Sequence, residues 1–141
     1  MVKEADMNKI LVVDEEDAIR MLYQEELMED GYDIIAAEDY DALLEIIAEK
    51  EPDLVVMDVK RNGSSGLDIL QEIRTSFNDI HIILCTAHDA LKSDPKIAAA
   101  NCFMIKSSDL RRLKRRVRLE LDKLSLFDLS ISTLPDAANH G

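Results

Sequence analysis

Five short apolar runs, each too brief for a helix, are separated along this chain by longer stretches with helical spacing. Ile10-Leu11-Val12-Val13 is uninterrupted and rich in β-branched residues, the composition of a strand buried on both faces. Tyr32 to Ala36, Asp53 to Met57, Ile80 to Leu84 and Cys102 to Ile105 read as strands too. Between them, Glu15 to Asp30 places Ile19, Leu22, Tyr23 and Leu27 on one helical stripe, closed by Gly31 as a left-handed cap. Asp39 to Glu49 repeats the pattern through Tyr40, Leu43, Leu44 and Ile47. Leu67, Leu70, Ile73 and Phe77 mark a third helix, and Ser108 to Leu124 a further one through Leu110, Leu113, Val117 and Leu121. His88 to Asn101 is Ala-rich but contains Pro95, so the fourth helix is expected to be short or irregular. Strands alternating with helices require parallel pairing and right-handed crossovers. The expected class is therefore α/β, a doubly wound five-stranded parallel sheet with helices on both faces.

At 141 residues, folding hides roughly 70% of the surface of the extended chain, enough for one domain with a real core. Four Gly and three Pro exclude collagen-like and linker-rich classes. Ile10 to Val13 is far short of a membrane span or signal-peptide core, and two cysteines make no disulfide framework. Cys85 and Cys102 with His81, His88 and His140 lack zinc spacing. The expectation is a cytoplasmic protein with no membrane segment. Lys and Arg number 17 against 29 Asp and Glu, a net charge of −12, which argues against wrapping nucleic acid or an acidic membrane. Arg111, Arg112, Lys114, Arg115, Arg116 and Arg118 crowd one late segment. No helix-turn-helix pair, zinc knuckle or aromatic platform accompanies them, so they read as a solvated helix face.

In an open sheet of this kind, ligands sit beyond the carboxyl ends of the strands. There the first run leads into Asp14-Glu15-Glu16-Asp17, the third into Asp58, the fourth toward Thr86 and the fifth into Lys106. Three or more carboxylates at one mouth repel unless a cation joins them. Oxygen ligands without Cys or His favour Mg²⁺, which leaves room for a phosphate oxygen. A hydroxyl and an ammonium nearby complete a site for a transferring phosphoryl group. Each residue alone has an ordinary explanation, such as capping the next helix; their joint placement on four parallel strands does not.

These residues resemble, in order, the motifs of the receiver domain of two-component response regulators, over roughly residues 8 to 124. Ile10 to Glu16 is similar to that family's first strand and acidic pair, and Asp53-Leu54-Val55-Val56-Met57-Asp58 to its phosphoacceptor strand. Gly66, Thr86-Ala87 and Phe103-Met104-Ile105-Lys106 match the remaining motifs. The resemblance implies a flavodoxin-like strand order 2-1-3-4-5, with a receiver domain at 1–124 and a C-terminal tail at 125–141, docked or disordered. It implies a phosphorylation-dependent signalling switch that catalyses only its own phosphorylation and dephosphorylation, with Asp58 taking a phosphoryl group from a histidine kinase or phosphotransfer protein. Glu15 and Asp58 would ligate Mg²⁺, Asp14 would hold a metal-bound water and Lys60 would offer its backbone carbonyl. Thr86 and Lys106 would contact phosphoryl oxygens, and Phe103 would turn inward as Thr86 moves.

The sequence departs from the family where the usual Met-Pro pair is Arg61-Asn62 and where Ser107 replaces the proline after the lysine. A non-proline cis bond costs roughly 3 kcal/mol, which leaves the Lys106-Ser107 isomer open. The alternative reading is a degenerate receiver, a phosphorylation-independent interaction module; it would be favoured by loss of the acidic pair, Asp58 or Lys106, all of which are present. The resemblance implies that Lys60 and His88 would flank the water's approach to an Asp58 acyl phosphate; neither suits orienting that water, so slow hydrolysis is expected. Output is expected through a downstream protein target or a phosphorylation-dependent homodimer. Phe127, Leu129 and Ile131 alternate with polar residues, a pattern open to a docking strand or a tail folded over the domain.

Overall fold

The computed structural model describes residues 7–59 and 64–132, with side chains at 7–59 and 66–124. Five parallel strands form one sheet: β1 (Lys9–Val13), β2 (Asp33–Ala37), β3 (Leu54–Met57), β4 (His81–Thr86) and β5 (Cys102–Ile105), in the order β2-β1-β3-β4-β5. Among the described residues four α-helices surround it: α1 (Asp17–Glu29), α2 (Leu43–Lys50), α3 (Ser64–Ser76) and α4 (Arg111–Ser132). This is the doubly wound parallel sheet expected from the alternation of runs, in the flavodoxin-like strand order that the resemblance implies.

Because side chains alternate across a strand, the same apolar run feeds two cores. Leu11, Val13, Val55, Met57, Ile82 and Leu84 pack with Leu43 and Ile47 of α2 and Leu67, Leu70 and Ile73 of α3. Ile10, Val12, Leu54, Val56, Ile83 and Cys85 pack on the other face with Tyr23 and Leu27 of α1 and Leu113, Val117 and Leu121 of α4. Burial raises the Tyr23 phenol above its usual range, and Cys85, 3.7 Å away, adds to this. Burial likewise raises the thiols of Cys85 and Cys102. Both cysteines are free and serve as small packing residues.

Several boundaries differ from expectation, each for a local reason. Helix α1 does end at Gly31, whose φ of +94° suits a residue without Cβ; the amides of Gly31 and Tyr32 reach back to Met28 and Leu27. Helix α2 begins at Leu43 rather than Asp39. The Asp39 carboxylate accepts from the Asp41 amide at 3.0 Å, a turn that competes with helix, and Ala42 stands at φ 61°. His88 to Asn101 holds two 3₁₀ turns, Asp89–Ser93 and Pro95–Ala99. Pro95 lacks an amide, and Asp94 caps the second turn by accepting from Lys96 at 2.9 Å. Helix α4 runs past Leu124 to Ser132, because no Gly or Pro stops it before Pro135. The side chains of Phe127, Leu129 and Ile131 and all of residues 133–141 lie outside the described residues.

One charge is buried at the amino end of the sheet. Glu120 of α4 has no exposed surface; it accepts from His81 at 2.9 Å and Lys123 at 3.2 Å and forms an ion pair with Arg116 at 2.7 Å. Burial opposes its ionisation, but these bonds and charges outweigh it and hold the carboxyl below the usual glutamate range. Among the described residues no helix is long and apolar enough to cross a membrane.

Candidate functional site

Strand register assembles the site. Val13 pairs with Met57, and Met57 with Leu84, so Asp14 and Asp58 emerge side by side where β1 and β3 end. The Asp58 amide donates to the Val13 carbonyl at 3.0 Å. Thr86 pairs with Ile105, and the Lys106 amide donates to the Thr86 carbonyl at 2.7 Å. Thus Lys106 leaves β5 next to the two carboxylates.

The Lys106 ammonium donates to Asp14 Oδ2 at 2.7 Å and to Asp58 Oδ2 at 3.0 Å, with Glu16 farther off at 3.9 Å. All three central side chains are largely shielded: Asp14 is 2% exposed, Lys106 12% and Asp58 13%. Burial opposes the ammonium charge, but hydrogen bonds and charge from Asp14 and Asp58 prevail and hold it above the ordinary lysine range. Asp14 Oδ1 accepts from the Glu16 amide at 2.9 Å, and Arg20 donates to the Asp14 carbonyl at 2.8 Å. The other Asp58 oxygen, Oδ1, is buried without a hydrogen-bond partner among the described residues. A carboxylate with one oxygen gripped and the other presented is suited to bind a cation or an electrophile.

Thr86 is fully buried. Its hydroxyl donates to the Val59 carbonyl at 2.8 Å and accepts from the His88 amide at 3.2 Å. Phe103, half-buried on β5, packs against the core on the α2–α3 side. Lys60, Arg61 and Asn62 lie outside the described residues. No cis peptide occurs among the described residues, Lys106–Ser107 included.

Sequence reasoning missed three neighbours. Glu38, Asp39 and Tyr40, in the turn after β2, line a narrow cleft with Val13, Asp14, Glu15 and Asp58. Tyr40 reads as a core position of α2, yet it precedes that helix and its hydroxyl donates to the Asp58 main-chain carbonyl at 2.8 Å. The left-handed Ala42 that follows, which costs a residue with Cβ roughly 1 kcal/mol, gave no signal in the sequence.

The oxygen-only set Asp14, Glu15 and Asp58, with the orphaned Asp58 Oδ1, fits a hard divalent cation such as Mg²⁺. Among the described residues no three acidic, His or Cys side chains already converge as a cage; the Lys106 ammonium stands between Asp14 and Asp58 instead. The basic segment is largely spoken for or solvated. Arg111 pairs with Asp109 at 2.7 Å, Lys114 with Glu26 at 2.9 Å and Arg116 with Glu120, while Arg112, Arg115 and Arg118 are exposed.

Comparison with known proteins supplies the family and the fold. The sequence model of the response regulator receiver domain matches residues 10–118. The response regulator TrrA of Thermotoga maritima, solved in complex with Mg²⁺ and beryllium fluoride, is 40% identical over 81% of this chain and 99% of its own, with a TM-score of 0.76. TrrA in complex with the histidine kinase ThkA matches at 41% identity, 82% and 99% coverage and a TM-score of 0.75. A response regulator receiver domain protein from Clostridium thermocellum is 26% identical over 86% of this chain and 99% of its own, with a TM-score of 0.75.

Proposed function

We propose that this chain, which belongs to the response regulator receiver domain family of two-component signalling, takes a phosphoryl group on Asp58 from a histidine kinase or phosphotransfer protein. The observation that carries this is the asymmetry of Asp58: Lys106 restrains Oδ2, whereas Oδ1 is buried and, among the described residues, unpartnered. In the transfer, an Asp58 carboxylate oxygen bonds to phosphorus as the bond from phosphorus to the donor's imidazole nitrogen breaks. The imidazole leaves and the product is an acyl phosphate, labile enough to be reversed.

Lys106 already lies 3.0 Å from Asp58 and would pair with an incoming phosphoryl oxygen as a point charge. Thr86 would donate to a second oxygen, which requires its hydroxyl to leave the Val59 carbonyl. That movement frees space into which Phe103 can turn, carrying the change to the surface around β5 and the 3₁₀ turns. Asp14, Glu15 and Asp58, with the Lys60 carbonyl, are the groups that would hold Mg²⁺. When bound, the ion neutralises charge on the transferring oxygens. The relative solved with Mg²⁺ and beryllium fluoride and its complex with a histidine kinase support this reading. The switch would work in the cytoplasm, on a downstream protein or through a homodimer.

The test is intact-mass analysis after incubation with acetyl phosphate and Mg²⁺. The wild type gains one phosphoryl group and Asp58→Ala gains none. Equal labelling of that variant would move the acceptor elsewhere.

A further inference from the structure

We infer that Tyr40 is a positioning residue for the Asp58 nucleophile, a role that rests on Asp58 being the phosphoryl acceptor. Strand β3 ends at Met57, so the carbonyls of Asp58 and Val59 fall outside its ladder. Two hydroxyls replace the missing partners. Tyr40, from the turn after β2, donates to the Asp58 carbonyl at 2.8 Å, and Thr86, from β4, donates to the Val59 carbonyl at 2.8 Å. With the Asp58 amide bonded to Val13 at 3.0 Å, the backbone of the nucleophile is held at both ends.

The two tethers differ in what the reaction asks of them. Thr86 must abandon the Val59 carbonyl to reach a phosphoryl oxygen. The Tyr40 hydroxyl donates to main chain at Asp58, and its bond can persist through the transfer. It thereby keeps the Asp58 side chain in line while the neighbouring peptide is released. Misplacing a reacting group by about 1 Å can cost on the order of a hundredfold in rate, so a tether on the nucleophile's own peptide has a direct kinetic consequence.

The phenol reaches that carbonyl only because residue 66 is glycine. A Cβ at Gly66 would stand 2.8 Å from the Tyr40 hydroxyl oxygen, 3.0 Å from its ring carbon Cζ and 3.0 Å from a Val59 methyl. Gly66 is buried at the start of α3, and the required close approach is to the ring that tethers Asp58. The Leu43 amide donates to the Tyr40 carbonyl at 3.2 Å, which seats the residue in its turn.

The experiment follows labelling of Asp58 by acetyl phosphate at saturating donor and varied Mg²⁺, with intact mass as the readout, in wild type, Tyr40→Phe and Gly66→Ala. Thermal unfolding and amide hydrogen exchange of the unlabelled, metal-free proteins accompany it. Tyr40→Phe is expected to lower the limiting rate about tenfold, leave the Mg²⁺ needed for half-maximal labelling unchanged, and quicken exchange only in peptides covering 54–59. Gly66→Ala, which displaces the hydroxyl but keeps it, should lower the rate in the same direction and carries the test if Tyr40→Phe fails to fold. An unchanged limiting rate, or a loss matched by faster exchange throughout the chain, would overturn the positioning role. An unlabelled wild type would instead remove the Asp58 reading, and this role with it.

Discussion

Two carboxylates at opposite ends of the sheet are each held by cations, and they are held differently. Glu120, at the amino end, has no exposed surface and both oxygens occupied, by His81 on one side and by Arg116 and Lys123 on the other. Asp58, at the carboxyl end, shares one ammonium with Asp14 and leaves a buried oxygen without a partner among the described residues. A satisfied buried charge ties α4 to β4 and is inert. An unsatisfied one stores free energy that a ligand can release. The contrast is between a carboxylate that ties elements of the fold together and one proposed here to accept a phosphoryl group.

The largest effect should come from the inert site. Glu120→Ala leaves His81, Arg116 and Lys123 crowded without their anion, and is expected to cost about 3 kcal/mol of stability. Urea unfolding with an unchanged slope would measure it. The reactive site should respond with the opposite sign. Asp58→Ala removes an unpartnered buried oxygen and its repulsion with Asp14, while Lys106 keeps Asp14; stability should rise by about 1 kcal/mol. Equal losses at the two sites would erase the distinction between them.

The smallest effect is in the acid limb. Glu120 titrates below the ordinary glutamate pKa of 4.5, so the unfolded chain takes up the proton first as pH falls. Its contribution is therefore full above about 4.5 and disappears as pH drops through the lower folded value. Glu120→Gln should flatten the dependence of stability on pH in that window, read from urea midpoints at successive pH values. An unchanged pH dependence in Glu120→Gln would show that this carboxyl is not held below its ordinary range.

The core of the fold follows from local pattern. A run such as Ile10 to Val13 is apolar at every position because both faces of a parallel sheet are covered, and Gly31 ends α1 because only a residue without Cβ takes φ +94° cheaply. Asp14, Asp58, Thr86 and Lys106 could be named in advance because parallel strands deliver their carboxyl ends to one edge, whatever the loops do. Local pattern could not place Tyr40 against the Asp58 carbonyl, since that depends on a turn with Ala42 at φ 61° and on the space left by Gly66, far along the chain. Nor could it distinguish Glu120 from the other charged residues of α4, because its surroundings come from His81 on another element. The division has one physical cause. Periodicity and strand ends are properties of the chain's own geometry, whereas the partner of a polar side chain is chosen by which distant backbone packing brings within about 3 Å of it.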